Sequence, residues 1–199
     1  MKAVITGDII NSRLSSAAEW QPILKNILKQ YGKEPLHWEL FRGDSFQLDL
    51  SPGDALLAAI HIKAGIKQLS NLDVRIAIGI GTQDKKSPRI TEATGPAFTR
   101  SGECFDQLKK QTLAIASPDE SFDEIMNMVI IMATLVMDNW STTVASVILK
   151  MIENPEKSQQ EIAAQIKKSQ STISEALKRG GFEEVKKMEA FYRKQIDTL

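Results

Sequence analysis

The alternation of two hydrophobic periodicities between residues 3 and 81 constrains this chain more than any other feature. Ala3 to Ile5 is a short, largely β-branched run that ends at Thr6-Gly7-Asp8, the pattern of a strand entering a loop. From Ala17 to Tyr31, Trp20, Ile23, Leu24, Ile27, Leu28 and Tyr31 recur at spacings of three and four, which predicts an amphipathic helix. Leu36–Arg42 and Ser45–Leu50 flank Gly43-Asp44 and predict a hairpin. Ser51-Pro52-Gly53-Asp54 then opens a helix carrying Leu56, Leu57, Ile60, Ile66 and Leu69, and Val74–Gly81 alternates with period two.

Strand, helix, strand, strand, helix, strand is the split βαβ, or ferredoxin-like, order. A polar insertion at Thr82–Arg89, a helix over Gly95–Lys110 and a strand at Thr112–Ala116 complete the first half. After Ser117 no strand pattern appears. Ser117-Pro118-Asp119-Glu120 offers an N-cap serine, a proline at the first helical position and a glutamate three residues after the serine, and a helix over 119–139 is apolar on nearly every side. Such a helix belongs between domains or in a dimer interface. The expected fold is therefore α+β: a ferredoxin-like domain at 1–116, a connecting and possible dimerising helix at 117–140, and an all-α helix-turn-helix domain at 141–199.

Composition narrows the classes of function. Lys+Arg and Asp+Glu balance at 25 each, so any nucleic-acid surface must be local. One cysteine, Cys104, excludes an internal disulfide, and with two histidines a structural zinc cluster is not expected. The opening MKAVITGDII lacks the apolar run of a signal peptide, and residues 125–137 fall short of the roughly 20 residues of a membrane span. A cytoplasmic chain with no membrane partner and no resident cofactor is expected.

Residues 158–181, SQQEIAAQIKKSQSTISEALKRGG, carry the strongest motif. Ser158 and Glu161 form a capping box, Ile162, Ile166, Ile173 and Ala176 face inward, and Gly180-Gly181 ends the second helix. Two short helices joined by a tight turn predict a helix-turn-helix. Gln170, Ser171 and Thr172, behind Ser169, lie where base edges are read, and Lys167, Lys168, Lys178 and Arg179 lie where phosphates run. From Ser141 to Leu199 ten Lys/Arg face eight Asp/Glu, a net of +2 that supports DNA binding only through local clustering. The stretch resembles the helix-turn-helix of many bacterial transcription regulators, except that Lys167 replaces the usual turn glycine, at a cost on the order of 1 kcal/mol.

In the first half, ITGDIINSR, FRGDSFQ, VRIAIGIG and GPAF together resemble the palm-like domain of class III nucleotide cyclases. That resemblance implies a pair of carboxylates, Asp8 and Asp44, holding divalent metal on a triphosphate. Other positions depart from the family: Leu40 stands near its base-selecting lysine, and Thr99 and Glu103 stand where asparagine and arginine would act. Glutamate in place of a phosphate-stabilising cation opposes catalysis.

Taken together, MKAVITGDIINSR, FRGDSF, GPAF, the apolar helix and the terminal motif resemble the SatD family of bacterial regulators. The resemblance implies a cyclase-like domain fused to a DNA-binding one. Two functions are thus expected. One is a dimeric regulator that binds double-stranded DNA, with a non-catalytic first half that dimerises or senses a small molecule or nucleotide at Asp8, Asn11, Ser12, Arg13, Arg42 and Asp44. The other is a Mg-dependent nucleotide enzyme using Asp8 and Asp44, with Arg13 or Arg42 near the phosphates.

Overall fold

The first strand, β1 (Lys2–Ile10), is the middle of the sheet and continues past the expected loop at Thr6-Gly7-Asp8. Asp8 is still in register, opposite Ser45 on one side and Arg75 on the other. Gly7 permits this close packing: a Cβ there would lie 2.5 Å from the Phe46 ring and 2.8 Å from the Arg75 carbonyl oxygen. The computed structural model describes all residues, 1–199.

β2 (Trp38–Phe41), β3 (Ser45–Leu50), β4 (Asp73–Gly81) and β5 (Leu113–Ala116) complete a five-stranded sheet in the order β2-β3-β1-β4-β5. β1 is antiparallel to both β3 and β4, whereas β5 runs parallel to β4. Successive residues of β1 serve opposite faces. Ala3, Ile5 and Ile9 join the main core with α1 (Ala17–Tyr31) and α2 (Ala55–Lys67). Thr6 points to the other face, where its hydroxyl lies 2.6 Å from Ser101 on α3 (Pro96–Gln107).

Helices follow from there to the end: α4 (Glu120–Met137), α5 (Thr142–Glu153), α6 (Gln159–Gln165), α7 (Gln170–Arg179) and α8 (Phe182–Ile196). The cap of α4 is Asp119, whose carboxylate accepts from the Phe122 amide at 3.0 Å, and not Ser117. No helix is long and apolar enough to cross a membrane.

The expected division into a ferredoxin-like domain and a separate all-α helix-turn-helix domain does not hold. The chain forms one α+β domain, and the reason lies in α2. Eleven of its thirteen residues are buried, so it has no solvent face. The sheet covers one side of α2, and α1, α5 and α8 cover the rest. One continuous cluster of 45 buried apolar residues extends from Ala3 to Ile196. Polar contacts seal the same junction. Tyr192 Oη donates to the Pro52 carbonyl at 2.5 Å. Lys63 Nζ, almost fully buried, reaches Asp73 at 2.8 Å and Asp138 at 2.7 Å. Lys67 donates to the Asp138 carbonyl at 2.7 Å.

Candidate functional site

Two surfaces bring sequence-predicted residues together. The first is a cleft of about 590 Å³ where β1 ends and β4 begins. Asp8, Asn11, Ser12, Arg13 and Asp44 all line it, while Arg42, at the hairpin tip, does not. The local backbone explains the gathering. Asn11 takes a left-handed turn at φ 62° and donates to the Asn71 carbonyl at 3.0 Å, which folds Ser12 and Arg13 back over the strand end. Arg42 and Gly43 both have positive φ, and the Ile9 amide donates to the Asp44 carbonyl at 3.1 Å, so Asp44 stands beside Asp8.

Arg75 changes what this pair can do. It grips Asp8 in a fork, Nε to Oδ1 at 3.0 Å and Nη2 to Oδ2 at 2.5 Å. The bond to Asp8 raises the Arg75 pKa, and Asp44 adds to the effect. The guanidinium also lies 5.4 Å above the Phe105 ring on α3. Asp44 accepts from Ser12 Oγ at 2.6 Å. A divalent ion would have to displace a bidentate guanidinium from Asp8, and no group of three or more His, Cys, Asp or Glu side chains converges anywhere in the chain. The donor set does not fit a metal pair. Counting all lining residues, four cations (Arg13, Arg75, Lys109, Lys110) stand against two carboxylates, which favours an anionic occupant.

Arg75, Lys109, Lys110, Gln111 and Thr112 were not anticipated in the cleft. They arrive there through register and loop position: Arg75 pairs across the sheet with Asp8, and the 109–112 segment leads into β5. The one available signal was the charge of Arg75 inside an otherwise apolar strand pattern.

The second surface is α6, α7 and the turn between them. Ser158 and Glu161 make the predicted capping box, and Ile162, Ile173 and Ala176 are buried against α5 and each other. Lys167 is left-handed at φ 55°. The Lys168 amide donates to the Ala163 carbonyl at 2.9 Å and the Lys167 amide to Ala164 at 3.3 Å. That is a Schellman closure with lysine where glycine is usual. Ser169 caps α7 by accepting from the Thr172 amide at 3.2 Å, so its hydroxyl is engaged in the fold. Gln170 and Ser171 are exposed, and Thr172 is half-buried. Lys167, Lys168, Lys178 and Arg179 are all exposed, and none forms a salt bridge. Glu175 shares the outward face.

The far end of α7 is anchored from below. Trp140 Nε1 donates to the Gly180 carbonyl at 2.8 Å, and a Cβ on Gly180 would lie 2.7 Å from both Val144 and Ile148 of α5. The helix is thus held at both ends while its outer face stays open.

No curated protein matches the chain in sequence. The model of the SatD family matches residues 2–190, through the sheet, the cleft and the α6–α7 surface alike, and the chain belongs to the SatD family.

Proposed function

We propose that this chain is a DNA-binding transcriptional regulator whose contact surface is α7 and the turn before it. The observation that carries this is the set of four exposed, unpaired cations at the two ends of a short helix, Lys167 and Lys168 before its N-terminal turn and Lys178 and Arg179 in its last turn. Gln170 and Ser171 reach base edges in a major groove, Thr172 sits beside them, and Ser169 holds the turn in place. The four cations bind phosphate and set the register. Reading an operator of two half-sites takes two copies of the chain. The DNA-reading surface is part of one continuous domain and needs no separate module.

Selection from a random duplex pool, followed by titration at several salt concentrations, tests the proposal. The double variant Lys178→Ala, Arg179→Ala should weaken binding at least tenfold and reduce the salt slope by about 0.9 for each lost phosphate contact. Full-strength binding by that variant would sink the assignment.

Catalysis by Asp8 and Asp44 is disfavoured because Arg75 occupies both oxygens of Asp8. The excess of cations in the same cleft supports a second role, reception of a small phosphate-bearing molecule without turnover. Calorimetric titration of the full chain with nucleotides and with inorganic phosphate should give binding that Arg13→Ala weakens. Absence of heat with every anion would remove this role and leave the DNA surface untouched.

A further inference from the structure

The expected all-round burial of α4 is incomplete. Phe122, Met126, Ile130, Thr134 and Met137 face the core. Ile125, Met128, Ile131, Met132, Leu135 and Val136 lie on the opposite side and are between 39% and 71% exposed. No charged residue interrupts the helix from Ile125 to Met137. A contiguous apolar stripe of this kind on a helix face signals an interaction site.

We infer that a second copy of this chain covers the stripe, with the two α4 helices packed antiparallel about a two-fold axis. Area supports this occupant. The six side chains leave on the order of 600 Å² in water, so two copies would bury on the order of 1,200 Å², the lower range of a stable interface. The stripe is also continuous with a groove of about 460 Å³ between α4 and α8, floored by Val129, Ala133, Val185 and Met188. That groove accepts the side chains of a facing helix.

Charge chooses the direction. The N-terminal end of the face carries Glu120 and Glu124, both exposed. At the other end, Lys178 and Arg179 border the groove beside Val136, two cations against the one carboxylate of Glu184. Parallel packing sets acid against acid and base against base. Antiparallel packing pairs Met128 with Met132 and Ile125 with Leu135, and sets Glu124 of the partner subunit towards the basic end of the groove, an attraction across solvent that leaves Lys178 and Arg179 open to phosphate. A self-complementary patch is what a two-fold interface requires. The apolar stripe supplies the area, and the flanking charges select the orientation.

Sedimentation velocity of the full chain at micromolar concentration, without DNA, tests the inference independently of the DNA reading. The wild-type chain should sediment as a dimer. Met132→Glu with Leu135→Glu should give a monomer of unchanged circular dichroism, because both residues are exposed. Glu124→Lys should raise the dimer dissociation constant at least tenfold, and adding Lys178→Glu and Arg179→Glu should recover most of the loss. A monomeric wild-type chain overturns the interface, as does a dimer that survives the Met132/Leu135 double variant. A dimer indifferent to both charge reversals overturns the antiparallel orientation.

Discussion

Two groups of cations in this chain have opposite fates. Lys63 and Lys67 lie beneath the junction of sheet and helices, and Asp73, Asp138 and Thr112 take up their donors. Lys167, Lys168, Lys178 and Arg179 stand in water with no carboxylate attached. The residue types are alike, and their surroundings assign them different work. Saturated, buried cations join parts of the architecture, and an unsaturated, exposed set is available to an outside anion. The Arg75–Asp8 fork falls between, with side chains 34% and 21% exposed and a neighbouring cleft whose other cations are free.

The largest expected effect tests the buried member of the comparison. Lys63→Met leaves Asp73 and Asp138 facing each other without their shared counterion. It should cost about 3 kcal/mol, read as a drop in the urea midpoint, with sheet and helices unfolding in one transition. Lys178→Ala, measured in the same way, should change stability by less than about 0.5 kcal/mol. Equal losses in the two variants would erase the distinction between them.

Comparable in size is a dependence on pH set by His61, which sits on α2 in the same buried layer. Its Nδ1 lies 3.0 Å from Tyr31 Oη, and burial pushes its pKa down to about 4. Because the folded pKa is below the unfolded one, the contribution is complete above about pH 6.5 and is lost as pH falls towards about 4. The loss amounts to about 3 kcal/mol. Urea midpoints between pH 7 and pH 4.5 should fall more steeply for the wild type than for His61→Leu. Identical slopes would mean that other groups carry the acid sensitivity.

The smallest effect concerns the exposed member. Lys167→Gly relieves a left-handed lysine and should raise stability by about 1 kcal/mol while removing one phosphate contact. A thermal melt reads the gain, and a salt titration with duplex reads the loss. If stability and affinity rise together, Lys167 is not at the DNA surface.

The periodic segments were legible because their apolar residues recur at helix or strand spacing. Helices α1 and α2, hairpin β2–β3 and strand β4 lie where their apolar spacing put them. β1 was read too short, because the polar ending Thr6-Gly7-Asp8 resembles a loop until Arg75 and Ser45 are seen to pair with it. α5 was not read as a helix at all. The division into two domains failed for a related reason. α2 is buried on every side despite His61 and Lys63, and local spacing cannot name the remote helices that cover it. In the cleft, Asp8, Ser12, Arg13 and Asp44 were visible as motif residues, whereas Arg75 and Lys109–Thr112 reach it only through strand register and chain return. Residues that meet across many positions leave no local pattern.

The hydrogen bond from Trp140 to Gly180 also makes the chain its own optical probe. Of three tryptophans, Trp20 and Trp38 are buried in the first half, on α1 and β2. Trp140 alone is tied to the end of α7, through an indole proton on a carbonyl that caps that helix. Indole emission is sensitive to the loss of such a bond. With Trp20 and Trp38 replaced by phenylalanine, the remaining fluorescence reports the seating of α7 directly, with no dye attached to the outer face that DNA would contact.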